Sequence, residues 1–133
     1  MTDSNDPHFS DLALSAPIQQ AIKSVGYERP SPIQAASIPH LLEGRDLLGV
    51  AQTGTGKTAA FTLPVLQHIE KTGGSTRGRR PVRALVLTPT RELAAQIGEN
   101  VEAYAKFLHL RHTVIFGGVK QSRQVAAIER GVD

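Results

Sequence analysis

The stretch "AQTGTGKT", Ala51 to Thr58, holds the residue types that grip a phosphate. It fits the loop pattern G-x-x-x-x-G-K-[ST], with Ala51 in the place of the first glycine. Gly54 and Gly56 let the backbone curl so that successive N–H groups face inward around an anion. Gln52, Thr53 and Thr55 complete the curl. The helix that follows offers free N–H groups and the positive end of its dipole. Lys57 is placed to pair with the β- and γ-phosphates of a nucleotide, and the Thr58 hydroxyl to ligate Mg²⁺. A glycine-rich turn can join a strand to a helix with no ligand, but strand, glycines, Gly-Lys-Thr and helix together favour phosphate binding.

Other residues carry weaker signals. In "GYERPSPIQ", Gln34 has a side-chain amide that matches the N6 and N7 edge of adenine. Phe9 could stack on a base face. Read alone, Gln34 is more simply a surface helix residue and Phe9 a core anchor. In "PTREL", Thr90 is a candidate N-cap; with Arg91 and the free N–H groups of a helix start it could meet a phosphate. A strand-to-helix turn with a solvated arginine is the plainer alternative. Gly117 and Gly118 would let a ligand approach the backbone closely, or simply make a turn. Arg77, Arg79, Arg80 and Arg83 lie in a Gly- and Ser-containing loop and are expected to form a solvated face. The five histidines show no paired metal spacing and are expected to be structural or surface residues.

These residues need elements to hold them. The chain has 133 residues, 40% hydrophobic and 20% charged, enough for one globular domain. A net charge of +3 permits nucleic-acid or phosphate partners without requiring them. No cysteine is present, which excludes disulfides and thiolate metal sites. The N-terminus lacks a secretory pattern and no apolar run approaches the roughly 20 residues of a membrane span; the expectation is a cytoplasmic protein without membrane contact. Residues 1–8 read as a flexible N-terminus. A helix is expected after Ser15, stopping at Gly26, and another after Ser31, stopping at Gly44 and divided by Pro39. "DLLGVA", "ALVLTP" and "HTVIFGG" read as buried parallel strands. They alternate with helices over "KTAAFTLPVLQHIEK", bent near Pro64, "RELAAQIGENVEAYAKFL" and "SRQVAAIERG". The alternation implies an α/β fold with a parallel sheet.

Phe9, "GYERPSPIQ", "AQTGTGKT", "PTRELAAQI" and the Gly117-Gly118 pair occur in this order and spacing. Together they resemble the N-terminal part of the first RecA-like domain of DEAD-box RNA helicases, matching the Q motif, motif I, motif Ia and the GG motif. The resemblance covers nearly the whole chain from Phe9 onward. It implies a helical Q-motif segment over 9–45 and a truncated RecA-like P-loop domain over 46–133. It also implies that Gln34 reads adenine, Phe9 stacks on it, Arg29 lies close to the base, and Ala51 is the family's usual loop residue. Pro89, Thr90, Arg91, Gly117 and Gly118 would touch an RNA sugar-phosphate backbone, positioning the strand without reading its sequence. ATP and Mg²⁺ are the implied cofactors. The family's D-E-A-D and S-A-T sequences and its second RecA-like domain do not occur in these residues, so the isolated chain is expected to be an inactive, truncated piece. The alternative is a stand-alone, non-catalytic nucleotide-binding module.

Overall fold

A computed structural model describes residues 6–73 and 80–133. Arg77 and Arg79 of the arginine-rich loop, and most of the N-terminal segment 1–8, lie outside the described residues. A short 3₁₀ turn over Phe9–Asp11 precedes five helices: α1 (Ala16–Ser24), α2 (Pro32–Leu42), α3 (Lys57–Thr72), α4 (Arg91–Tyr104) and α5 (Gln121–Glu129). Their ends follow the local signals. Ser15 and Ser31 precede α1 and α2, each with proline in the first turn. Gly26 and Gly44 leave these helices at φ 81° and 80°, left-handed values that glycine adopts without strain. Ser31 N–H donates to Gln34 Oε1 at 2.9 Å, one arm of a capping box. Thr90 Oγ1 accepts from Leu93 N–H at 3.2 Å and caps α4.

Pro39 does not divide α2, and α3 runs as one helix through Pro64. A proline forfeits a ladder hydrogen bond, but burial of its neighbours offsets the loss. Ile38 and Leu63 are fully buried, each contributing about 1.5–3 kcal/mol. The ladder resumes beyond Pro39, whose carbonyl accepts from Glu43 N–H at 3.2 Å.

One core joins the first turn with α1 to α4. Phe9, Leu14, Ile18, Ile22 and Ile38 pack with Ala59, Leu63, Leu66, Tyr104 and Ala105. The Q-like segment therefore packs with α3 and α4 in one core, which fixes it beside the loop of residues 51–56. Gln67 reinforces the joint: its Oε1 accepts from Ser15 N–H at 2.7 Å and its Nε2 donates to Ala13 O at 2.8 Å.

The helices of the expected α/β alternation are present, and its parallel sheet is not seen among the described residues. None of them is in a strand, and no backbone hydrogen bond joins the segments around Leu47, Leu85 and Val114 to one another. Space separates these segments. A cavity of about 540 Å³ lies between Ala84–Thr88 and Leu110–Ile115. A second, of about 550 Å³, lies between Leu47–Gly49 and Ala84–Pro89. Paired strands stand about 4.8 Å apart and exchange backbone hydrogen bonds, and no such bonds join these segments. Side chains that a buried parallel sheet would cover are left outside, with Leu48 at 93% and Leu87 at 85% exposure.

Asp133 enters between two of these segments. Its N–H donates to Arg111 O at 2.8 Å, and its carbonyl accepts from Arg83 N–H at 2.7 Å and Ala84 N–H at 3.0 Å. Its carboxylate meets Arg80 at 3.0 Å, Arg83 at 2.6 Å and the Arg111 amide at 2.9 Å, with 1% of the side chain exposed. Burial pushes the Asp133 carboxyl up, but the Arg111 amide and the Arg83 and Arg80 guanidiniums outweigh it and hold it below the ordinary 3.8. This corrects the solvated-face expectation for Arg80 and Arg83, whose side chains are 6% and 22% exposed. Their partner is fifty residues away, beyond what a local charge run reveals.

Candidate functional site

The loop of residues 51–56 closes on itself through the backbone. Gly54 and Gly56 hold φ of 82° and 90°, where side-chain-bearing residues are strained. Gly56 is also pinned by its neighbours, since a Cβ there would lie 2.3 Å from Gln34 Nε2 and 3.0 Å from Ser31 Oγ. Gly54 has nothing within 4 Å of such a Cβ, so its left-handed backbone faces open space. Thr55 Oγ1 donates to Gln52 O and Lys57 Nζ to Ala51 O, both at 2.6 Å. Lys57 opens α3 and Thr58 follows it, so cation, hydroxyl and helix N-terminus converge beside the open glycine. This donor set suits a polyphosphate with a divalent cation.

Gln34 is 6% exposed and not the surface residue its position alone suggested. Its Nε2 donates to Gly56 O at 3.1 Å while its Oε1 accepts from Ser31 N–H. Ser31 Oγ donates to Thr55 O at 2.6 Å. Two residues of the α2 cap thus grip two carbonyls of the loop. Ser31's second role was missed in the sequence, where it read only as a cap. Gln34 sits against the loop, where an amide can be shared between loop and base.

Phe9 occupies the core-anchor position, 3% exposed. Its ring stacks on Tyr27 at 6.1 Å between centroids, and Tyr27 leans on Tyr104 at 6.2 Å. The two tyrosine hydroxyls are 3.4 Å apart. Burial, helped by the neighbouring Tyr27, pushes the Tyr104 phenol above its ordinary value, so it stays neutral. Arg29 pairs with Asp6 at 3.4 Å on the surface, a contact worth at most about 1 kcal/mol. Phe9 N–H donates to Glu28 O at 3.0 Å, tying the first turn to the segment that carries Arg29.

Of Pro89, Thr90 and Arg91, the last reaches Gly117 and Gly118. The Arg91 guanidinium donates to Gly117 O and lies 4.9 Å from the centre of the Phe116 ring. Gly118, at φ 83°, could not carry a Cβ without meeting Arg91 Nη2 at 2.5 Å. Gly117 has nothing within 4 Å of such a Cβ. The structure therefore joins two motifs twenty-six residues apart. All five histidines lie on the surface. Among the described residues no group of three or more metal-binding side chains is gathered, and no helix is long and apolar enough to cross a membrane.

This combination of glycine loop, bracing glutamine and helix start has the pattern of a phosphate loop at a helix N-terminus. A family model for DEAD/DEAH box helicases matches residues 31–133, and the chain belongs to that family. It is 48% identical over 124 residues to the ATP-dependent RNA helicase DeaD of Escherichia coli strain K12, covering 92% of this chain and 19% of that protein. It is 43% identical over 120 residues to the human probable ATP-dependent RNA helicase DDX46, covering 90% of this chain and 12% of that protein. Among solved structures, a DEAD box protein from the hyperthermophile Methanococcus jannaschii superposes with a TM-score of 0.83 at 33% identity, over 94% of this chain and 33% of that one. The RNA helicase Prp28 from Chaetomium thermophilum, solved with ADP, gives 0.79 at 39% identity, over 95% of this chain and 30% of that one. The chain thus spans less than a fifth of the length of these curated relatives.

Proposed function

We propose that this chain is the N-terminal part of a DEAD-box ATP-dependent RNA helicase and that it supplies half of the ATP site and a share of the RNA contacts. The observation that carries this reading is the brace from Ser31 and Gln34 onto the carbonyls of Thr55 and Gly56. It couples a base-reading amide to a phosphate loop, as an adenine nucleotide site requires. Gly54, Gly56, Lys57 and Thr58 would hold the phosphates and Mg²⁺; bound Mg²⁺ supplies charge neutralisation on the terminal phosphates. Gln34 would read the adenine edge, with Arg29 near the base; Phe9, expected to stack on the base, is instead buried with its ring against Tyr27. Pro89, Thr90, Arg91, Gly117 and Gly118 would meet the RNA backbone. RNA contacts of this kind hold any sequence.

Phosphoryl transfer depends on several positioned groups acting together. By the family's pattern that set includes the carboxylates of D-E-A-D and the arginines of a second domain, which residues 1–133 do not carry. The isolated chain is accordingly a nucleotide-binding piece with no turnover of its own. The test is nucleotide selectivity in the full-length helicase. Gln34→Ala should reduce the preference for ATP over GTP roughly tenfold, the value of one paired edge contact. An unchanged preference removes Gln34 from the base site.

A further inference from the structure

The proposed RNA contacts fall in two places, the start of α4 and the Gly117-Gly118 turn, and a small cluster locks these places together. Arg91 stands at the first position of α4. Its guanidinium lies over the Phe116 ring at 4.9 Å and donates to the carbonyl of Gly117. From the other side, Gln124 of α5 accepts from Phe116 N–H through its Oε1 at 2.9 Å. Gly118 turns the chain at φ 83°, and its backbone lies close against the Arg91 guanidinium. Two helices therefore converge on one residue, Phe116, which is half-buried and belongs to none of the helices.

We infer that Phe116 and Gln124 are positioning residues for the RNA strand. They set the distance between the Thr90–Arg91 backbone and the Gly117-Gly118 backbone, so that both meet one sugar-phosphate chain in fixed register. The inference rests on the RNA reading given above. Its physical basis is the division of labour on Arg91. A guanidinium has five N–H donors in a rigid fork. One edge is committed to Gly117 O and its face to the Phe116 ring, which leaves the other edge with a fixed direction. Gln124 holds Phe116 by its backbone, so the ring cannot follow Arg91 away. A lysine at position 91 could not serve, because its ammonium lacks the planar fork.

The experiment is RNA-stimulated ATP hydrolysis by the full-length helicase, titrated with a single-stranded oligoribonucleotide of mixed sequence. Phe116→Leu keeps apolar bulk and removes the π face. It should raise the half-saturating RNA concentration roughly two- to fivefold, the range of one cation–π contact, while the KM for ATP without RNA is unchanged. Phe116→Tyr keeps the face and should restore the original value. Gln124→Met removes the acceptor at nearly constant volume and should act in the same direction as Phe116→Leu. Arg91→Ala should weaken RNA more, and Phe116→Leu added to it should cost nothing further, since the partner is gone. If Arg91→Ala weakens RNA but Phe116→Leu or Gln124→Met does not, the positioning role falls and the RNA reading stands. If Arg91→Ala also leaves the RNA titration unmoved, the RNA reading falls with it. An equal rise in the KM for ATP would mark a general structural role and would overturn the inference as well.

Discussion

Lys57 spends its ammonium on the Ala51 carbonyl at 2.6 Å, a neutral acceptor. A phosphate oxygen is a charged one, and charge-assisted hydrogen bonds are roughly twice as strong. The exchange favours the nucleotide, so Lys57→Ala should lower ATP turnover of the full-length helicase by at least about a hundredfold, as loss of one preorganised donor does elsewhere. Steady-state hydrolysis measures it, and wild-type turnover would refute the loop assignment. The two adjacent glycines make a sharper comparison. Gly118→Ala forces a side chain into left-handed backbone and against Arg91, a strain of about 1–3 kcal/mol. Gly117→Ala meets nothing within 4 Å and should leave the unfolding midpoint alone while weakening RNA. The sequence showed the pair of glycines but not that they are small for different reasons, since one turns the chain at φ 83° and the other faces open space. In the same way it showed Gln34 as a helix residue. Only the packing of α2 beside the loop turns its amide onto Gly56.

Helix α3 ends under the arginine that also holds Asp133. Arg83 Nη1 donates to Ile69 O at 3.0 Å and Thr72 Oγ1 at 2.8 Å, and also to Gly73 O. It thereby satisfies free carbonyls at the C-terminal end, where the helix dipole welcomes a cation. Asp133 ties that end to the segment at Arg111. Breaking a buried pair by removing one partner costs about 3–5 kcal/mol, so Asp133→Asn should lower the urea midpoint of the full-length protein distinctly. The carboxyl is held below its ordinary 3.8. Its contribution is therefore complete above that value and is lost as pH falls through the lowered one. Urea midpoints taken between pH 3 and 6 should drop at the acid end in the native protein, and less steeply in Asp133→Asn. At this scale the helices were legible because their signals are local: Ser15, Ser31 and Thr90 before them, Gly26 and Gly44 after, apolar residues at helical spacing within. Pro39 was over-read, since burial of Ile38 outweighs a lost ladder bond. The Arg83–Asp133 joint was invisible because nothing near Arg83 in the chain names its partner.

For the molecule as a whole, one side is finished and the other is open. The helices share a core from Phe9 to Ala105, while the segments around Leu47, Leu85 and Val114 stand apart with Leu48, Val50, Leu85 and Leu87 largely exposed. The three apolar runs were read correctly as apolar; what they pair with cannot be read from them, because a parallel strand takes its neighbours from distant sequence. Exposed apolar segments with free backbone groups invite association. The isolated 133-residue chain should therefore unfold without a sharp cooperative transition and self-associate with concentration. Calorimetry and sedimentation check this; a sharp, concentration-independent transition would mean that the helical side suffices alone.

The two open grooves also put the chain on a clock. A ribosome adds about 5–20 residues each second, so the helical side, whose core is drawn from Phe9 to Ala105, can assemble a few seconds before Asp133 arrives to bridge the segments at Arg83 and Arg111. During those seconds the nascent protein presents Leu48 and Leu87 to its surroundings. The speed of synthesis up to Asp133, and the chaperones waiting at the exit tunnel, then bear on yield as directly as any contact in the finished core.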